Sequence, residues 1–211
     1  MYDQTTTIGD FLSATAAKQP APGGGSVAAL TGALAAAIGE MTLNYSVDRK
    51  ANIPETEGML RQALLQLDRA RQLMLELMRE DQLAYDALTA ARKMPADFQG
   101  RQSQVNVTLL ACLRIPQAMA ACGLAILELV DKVWEVSNPY LLSDMAVCAE
   151  LAMATVRCGV YNVRANLPFL NDAAERMHFE MATEKLLVPA TEIMKRNSQR
   201  IWQRYRLEVT A

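Results

Sequence analysis

An aspartate stands in this sequence where a helix should be burying an apolar side chain. From Pro54 to Lys93, Leu60, Leu64, Leu67, Met74, Met78, Tyr85 and Leu88 fall on one helical stripe, and Arg71 and Asp81 sit on the same stripe. A carboxylate drawn away from water must be paired or have its pKa raised. A raised one can hold and release a proton near neutrality, as a general acid or base must. Asp81, with Tyr85 one turn on and Asp86 beside it in sequence, is therefore one candidate site. The alternative is a buried ion pair with Arg71 or Arg114, of its own or another subunit. A second candidate is Pro22-Gly23-Gly24-Gly25-Ser26, just ahead of a helix. Glycines there let backbone N–H groups converge, and the helix N-terminus adds partial positive charge, a setting for a carboxylate, a phosphate or a heterocycle edge. A tight interhelical turn with Ser26 as N-cap accounts for the same residues. No Gly-Lys-Ser/Thr follows, so the segment is not a Walker A loop.

Three more segments carry polar groups at suggestive spacings. Asp144 follows the break Asn138-Pro139 and falls in the first turn of a new helix, where it serves as an acid/base or merely complements the macrodipole. Asn162 and Asn166, four residues apart, project their amides from one helical face, as readers of a heterocycle edge or as caps. Arg49 and Lys50 end an Ala-rich helix, where they suit its dipole or an anionic ligand tail.

Composition excludes much else. His178 is the single histidine of 211 residues, so a multi-histidine metal site cannot be built within the chain. It stands among Glu175, Arg176 and Glu180 with no evident partner and is assigned no role. Cys112, Cys122, Cys148 and Cys158 show no C-x-x-C spacing and read as buried free thiols of a reducing compartment. A net charge of −2 lacks the basic excess of a nucleic-acid binder. The opening residues have no signal-peptide pattern, and the apolar part of Pro20–Gly39 falls short of the roughly 20 residues of a membrane span. The expectation is a soluble cytoplasmic protein.

The elements that must position these residues all read as helix, since period-two alternation is absent. Thr7 with Asp10 begins the first helix, expected to run to Lys18. Two prolines and three glycines between Gln19 and Gly25 end it, and Ser26 opens a second helix to about Val47. Pro54 starts a third, reaching Lys93. A fourth spans about Gln99 to Val136, interrupted or kinked at Pro116, a fifth Tyr140 to Asn166, and a last Asn171 to Leu207 with a kink at Pro189. Lys195, Arg196, Arg200, Arg204 and Arg206 read as a solvated face of that last helix. The expected fold is all-α, an antiparallel bundle of six to seven helices making one domain over residues 1–211.

In order along the chain, Phe11-Leu12, Pro20-Ala21-Pro22-Gly23-Gly24-Gly25-Ser26, Arg49-Lys50, Asp81-Gln82-Leu83-Ala84-Tyr85, Asn138-Pro139 with Ser143-Asp144, and Asn162-Val163-Arg164-Ala165-Asn166-Leu167 together resemble the cyclodeaminase/cyclohydrolase family of tetrahydrofolate enzymes. Family members often follow Arg-Lys with a further Lys and an aromatic residue, whereas this chain reads Ala51-Asn52-Ile53-Pro54. The resemblance implies a helical homodimer acting on the one-carbon unit between N5 and N10 of tetrahydrofolate, with no metal and no cofactor beyond the folate substrate. The expected reaction is methenyltetrahydrofolate hydrolysis. Formiminotetrahydrofolate cyclodeamination, or folate or protein binding without catalysis, are the alternatives. Asp144 and, second to it, Asp81 are the expected catalytic carboxylates. Pro22, Gly23, Gly24, Gly25, Ser26, Arg49, Lys50, Tyr85, Asn162 and Asn166 are the expected substrate contacts.

Overall fold

The Thr7 side chain begins the first helix as its spacing predicts: its hydroxyl accepts from the Asp10 N–H (3.1 Å) and donates to the Asp10 carboxylate (2.6 Å). The computed structural model describes the backbone of residues 1–209 and the side chains of residues 1–203. Six α-helices follow one another: α1 (Ile8–Ala16), α2 (Gly24–Asn44), α3 (Pro54–Lys93), α4 (Arg101–Val133), α5 (Leu142–Asn166) and α6 (Ala173–Val209). Single 3₁₀ turns at Trp134–Val136, Pro139–Leu141 and Leu167–Phe169 flank α5. No strand occurs among the described residues. The all-α bundle is borne out.

Helices α2, α3, α4 and α5 form a square in which each packs on the next and α5 returns to α2; α6 lies along α4 and α5. Close neighbours fix the directions. Gly25 lies against Asp81 and Gly32 against Met74, so α2 and α3 are antiparallel; Gly24 lies against Asn162 and Gly39 against Cys148, so α2 and α5 are too. Leu43, Leu60, Leu67, Met74, Met119, Ile126 and Met145 fill the centre, and a smaller group around Leu109, Leu113, Val163 and Phe179 closes one end. On the α3 stripe Leu60, Leu67, Met74, Met78 and Leu88 are buried as expected, while Tyr85 is half exposed.

Several boundaries differ from the sequence reading. Helix α1 stops at Ala16, and α2 starts two residues before Ser26 and ends at Asn44. Ser26 is therefore inside the first turn rather than an N-cap, because Gly23 takes the extended cap conformation. Helix α4 runs unbroken through Pro116. Two helical segments, Gly24–Asn44 and Arg101–Val136, do reach the length and hydropathy of a membrane span, contrary to the shorter apolar run read from sequence. Each has more than half of its apolar window buried in the bundle, which is the source of that hydropathy. The solvated basic face is also corrected in part, since Arg196 and Arg200 both grip Asp131 of α4; the side chains of Arg204 and Arg206 lie outside the described residues.

Two glycines should respond oppositely to alanine. A Cβ at Gly159 would stand 2.6 Å from the backbone oxygen of Pro116, where α5 packs on α4. Gly159→Ala is expected to cost about 1–3 kcal/mol in urea unfolding, the scale of overpacking a close contact. A Cβ at Gly58 on α3 meets nothing within 4 Å. Gly58→Ala should stabilise by about 0.5–1 kcal/mol through helix propensity.

Candidate active site

The aspartate that spoils the α3 stripe lies against the start of α2. Ser26 Oγ donates to Asp81 Oδ2 at 3.2 Å, and the Ser26 backbone N–H donates to the same carboxylate. Gly25 makes this approach possible, since a Cβ there would stand 2.1 Å from Asp81 Oδ1. The carboxylate thus occupies the positive end of α2 itself. Burial pushes its pKa above the usual carboxylate range, and the two Ser26 bonds only partly oppose this. The ion-pair alternative is not realised among the described residues. Arg71 instead bonds Glu40 of α2 (2.7 Å) and Asp68 (2.6 Å), and Arg114 is exposed.

A cleft of about 270 Å³ opens beside Asp81, lined by Gly23, Gly24, Gly25, Tyr85, Arg92, Asn162 and Asn166 among others. Pro22 is buried just behind it, joined to Ala21 by a cis peptide bond. Asn162 and Asn166 do share a face, and each amide nitrogen is tied to the backbone. Asn162 Nδ2 donates to the Cys158 carbonyl at 2.8 Å. Asn166 Nδ2 donates to the Asn162 and Cys112 carbonyls, both at 3.1 Å. The second bond has a cause in the sequence: Pro116 has no N–H to offer the carbonyl four residues back, and Asn166 supplies the missing donor from α5. Asn166→Leu should therefore destabilise the fold by about 1–3 kcal/mol in thermal or urea melts, the cost of an orphaned buried acceptor. Asn166 has both amide hydrogens engaged and keeps its oxygen open, while Asn162 keeps its oxygen and one N–H. Next to the Asp81 carboxylate, the cleft offers acceptors to a ligand edge rich in N–H donors.

Cys112 also lines the cleft, but burial pushes its thiol up to about 11, too high for a nucleophile near neutrality. Cys122 and Cys148 are buried, Cys112 and Cys158 half-buried, and all four are free. Among the described residues no three His, Cys, Asp or Glu side chains gather as a metal site would require.

Asp144, Arg49 and Lys50 are elsewhere. Asp144 is in the first turn of α5, eighteen residues before Asn162, a separation of about 27 Å along a helix. Arg49 lines a different cleft with Trp134, Pro139 and Arg200, at the end of the bundle away from Asp81. That end is tied together by Asn138, whose N–H donates to Ser46 Oγ (2.9 Å) and whose Nδ2 donates to the Tyr45 carbonyl (3.1 Å). Within one chain the expected residues therefore form two groups at opposite ends, and the group around the glycines holds Asp81 rather than Asp144. Sequence reasoning missed Arg92 and Cys112 at this cleft; neither interrupts a pattern, and only the packing of α3 on α4 brings them there.

Residues 7–185 match the sequence profile of the family described as Formiminotransferase-cyclodeaminase. The chain belongs to that family. A methenyltetrahydrofolate cyclohydrolase of Methylorubrum extorquens is 29% identical over 194 residues, which cover 90% of this chain and 93% of that protein. A formimidoyltransferase-cyclodeaminase of Gallus gallus is 25% identical over 89% of this chain, but the match spans only 35% of that longer protein. In three dimensions the chain is similar to the crystal structure of formiminotetrahydrofolate cyclodeaminase from Thermotoga maritima, with a TM-score of 0.85 and 22% identity, covering 92% and 95% of the two chains. At that identity the likeness bears on the fold. The sequence profile takes in both groups of site residues, from the glycine turn to Asn166.

Proposed function

We propose that this chain is a methenyltetrahydrofolate cyclohydrolase with Asp81 as its acid/base. The observation that carries the reading is the near end-to-end similarity to a stand-alone cyclohydrolase, together with a carboxylate of raised pKa on a cleft lined with acceptors. The methenyl carbon of the substrate is cationic, and a half-buried carboxylate beside it supplies the opposite charge where water screens it less. Water attacks that carbon and gives a proton to Asp81, forming a tetrahedral carbon. The bond to N5 then breaks as N5 takes the proton back from Asp81, the hydroxyl on the carbon gives its own proton to solvent as it becomes the formyl C=O, and 10-formyltetrahydrofolate and one proton leave. The Asn162 and Asn166 oxygens accept from the N–H donors of the pterin edge, and Tyr85 packs against it at the mouth. We further place the protein in the cytoplasm as a homodimer, needing no metal or cofactor besides its folate substrate, and with neither a nucleic acid nor a membrane as partner.

The test is optical. Purified protein is mixed with methenyltetrahydrofolate, and loss of the methenyl chromophore is compared with a protein-free blank. Accelerated loss is expected. No acceleration, with the same chromophore appearing from formiminotetrahydrofolate, would assign the ammonia-releasing reaction of the cyclodeaminases instead.

A further inference from the structure

Gln82 follows Asp81 on α3 and is 4% exposed, and an amide buried to that degree must find partners for its hydrogen-bonding atoms. It lines the same cleft as Asp81, yet its amide is engaged within the protein. Oε1 accepts from the Tyr2 backbone N–H at 2.7 Å, and Nε2 donates to the Tyr2 carbonyl at 2.7 Å and to the Met78 carbonyl at 3.0 Å. The side chain thus exchanges both bonds with a backbone 80 positions away, as a neighbouring strand would. Tyr2 in turn ties down the segment that leads to the glycine turn. The Thr6 N–H on the Asp3 carbonyl (3.0 Å) closes a turn that brings the chain from Tyr2 back to α1. The Tyr2 ring meets Phe11 edge-on, with centroids 6.3 Å apart; Phe11 carries α1 into the core, while Ile8 and Leu12 are exposed. The Tyr2 hydroxyl accepts from Gln19 Nε2 at 3.1 Å, and the same nitrogen donates to the Ala14 carbonyl at 3.0 Å. Pro20 and Ala21, the next two residues, form a wall of the cleft. Tyr2 is not among the described residues that line it.

We infer that Gln82 is a positioning residue for the proposed reaction: through Tyr2 it holds α1 and the Pro20–Ala21 wall against the cleft, and so sets how tightly the substrate binds. The inference rests on the reading that this cleft takes the folate, and it adds what fixes one of its walls. The segment has little else to hold it. Helix α1 has nine residues, fewer than the roughly 12–15 an isolated helix needs to persist in water. Its order therefore comes from the contacts of Phe11 and Tyr2, and Gln82 makes the buried hydrogen bonds among them. A methionine at residue 82 would fill nearly the same space and leave the Tyr2 N–H and carbonyl to water. The clasp of Asp81 on α2 would stay, because Ser26 and Gly25 seat that carboxylate separately. Neighbouring residues of α3 thus take separate parts, Asp81 in the chemistry and Gln82 in binding, and loss of the second should change KM and not kcat.

Gln82→Met is expected to raise KM for methenyltetrahydrofolate about tenfold, the scale of losing hydrogen bonds of this kind. Its kcat should stay within about twofold of wild type, with the pH dependence of kcat unmoved. Amide hydrogen exchange is the companion readout. Residues 8–23 should exchange at least about tenfold faster in Q82M, while the centres of α2 to α5 keep wild-type rates. Tyr2→Ala loosens the same segment from outside the cleft and should raise KM in the same direction. The double variant Y2A/Q82M should bind no more weakly than Q82M, because residues acting as one unit are not additive. KM losses that multiply in the double variant would mean that Gln82 touches the ligand directly, and the inference would be overturned. A fall in kcat at unchanged KM, or unchanged exchange over residues 8–23, overturns it too. Should Q82M not fold, Y2A decides by the same two readouts, and wild-type KM with wild-type exchange is the overturning result. A wild-type protein without turnover would sink the functional reading alone, because exchange reports the hold of Gln82 on the segment whatever the cleft binds.

Discussion

Replacing Asp81 with asparagine is expected to lower kcat by about 10²–10⁴-fold, the range of losing an acid/base, while the protein stays folded. The isosteric amide keeps an oxygen for the Ser26 hydroxyl and the Ser26 N–H, so the clasp between α3 and α2 survives. The sign of the stability change separates chemistry from architecture. The folded-state pKa of Asp81 is raised, with burial as the main cause. The folded protein therefore binds more protons than the unfolded chain between the two pKa values, and the ionised carboxylate weakens the fold above the higher one. D81N should melt no lower than wild type at alkaline pH. Wild type should gain on that variant as pH falls through the raised pKa towards the ordinary carboxylate value. The kcat/KM profile of wild type should carry a limb at that raised pKa, and D81N should lack it. A D81N protein that is unfolded at every pH would mean that the carboxylate serves to hold α2 in place, and the assignment would fail.

What the sequence disclosed and what it concealed divide along contact distance. Pro54, the Ser137-Pro139 break and the Thr7–Asp10 box act within a few residues, and the helices begin or break at or near those positions. The α3 stripe disclosed that Asp81 was out of place because helical periodicity is local. Its partner was not disclosed, since Ser26 is 55 residues away and only antiparallel packing of α2 on α3 brings the two together. Asn166 behaves likewise: the amide pair was visible by spacing, but its bond to the Cys112 carbonyl spans 54 residues. Pro116 reads as an interruption or a kink; the helix is not interrupted there, and a donor from α5 satisfies the carbonyl the proline frees. The order of motifs along the chain also hid the separation of Asp144 from the glycine turn, because order says nothing of which end of a bundle a helix starts from.

Gly25→Ala should be nearly as damaging to turnover as D81N, and for the same reason. The sequence invites a different account, in which the glycines bare their N–H groups to an anionic ligand. The structure fills that position with the protein's own carboxylate. An added Cβ at residue 25 would stand 2.1 Å from Oδ1 and 2.5 Å from Cγ of Asp81. The short aspartate side chain can yield only by rotating away and giving up both Ser26 bonds. We expect a folded G25A protein with kcat reduced about 10²-fold or more, the scale of losing an acid/base, and with the Asp81 limb displaced or absent from its pH profile. Gly24→Ala is the comparison, since its Cβ would meet Asn162 Oδ1 at 3.4 Å, an ordinary contact. It should act mainly on KM. If Gly25 serves only to seat Asp81, then G25A/D81N will be no slower than D81N alone, because residues acting as one unit are not additive. Additive losses in that double variant would show that Gly25 touches the ligand directly, and the glycine turn would then be a binding loop as well as a seat for the carboxylate.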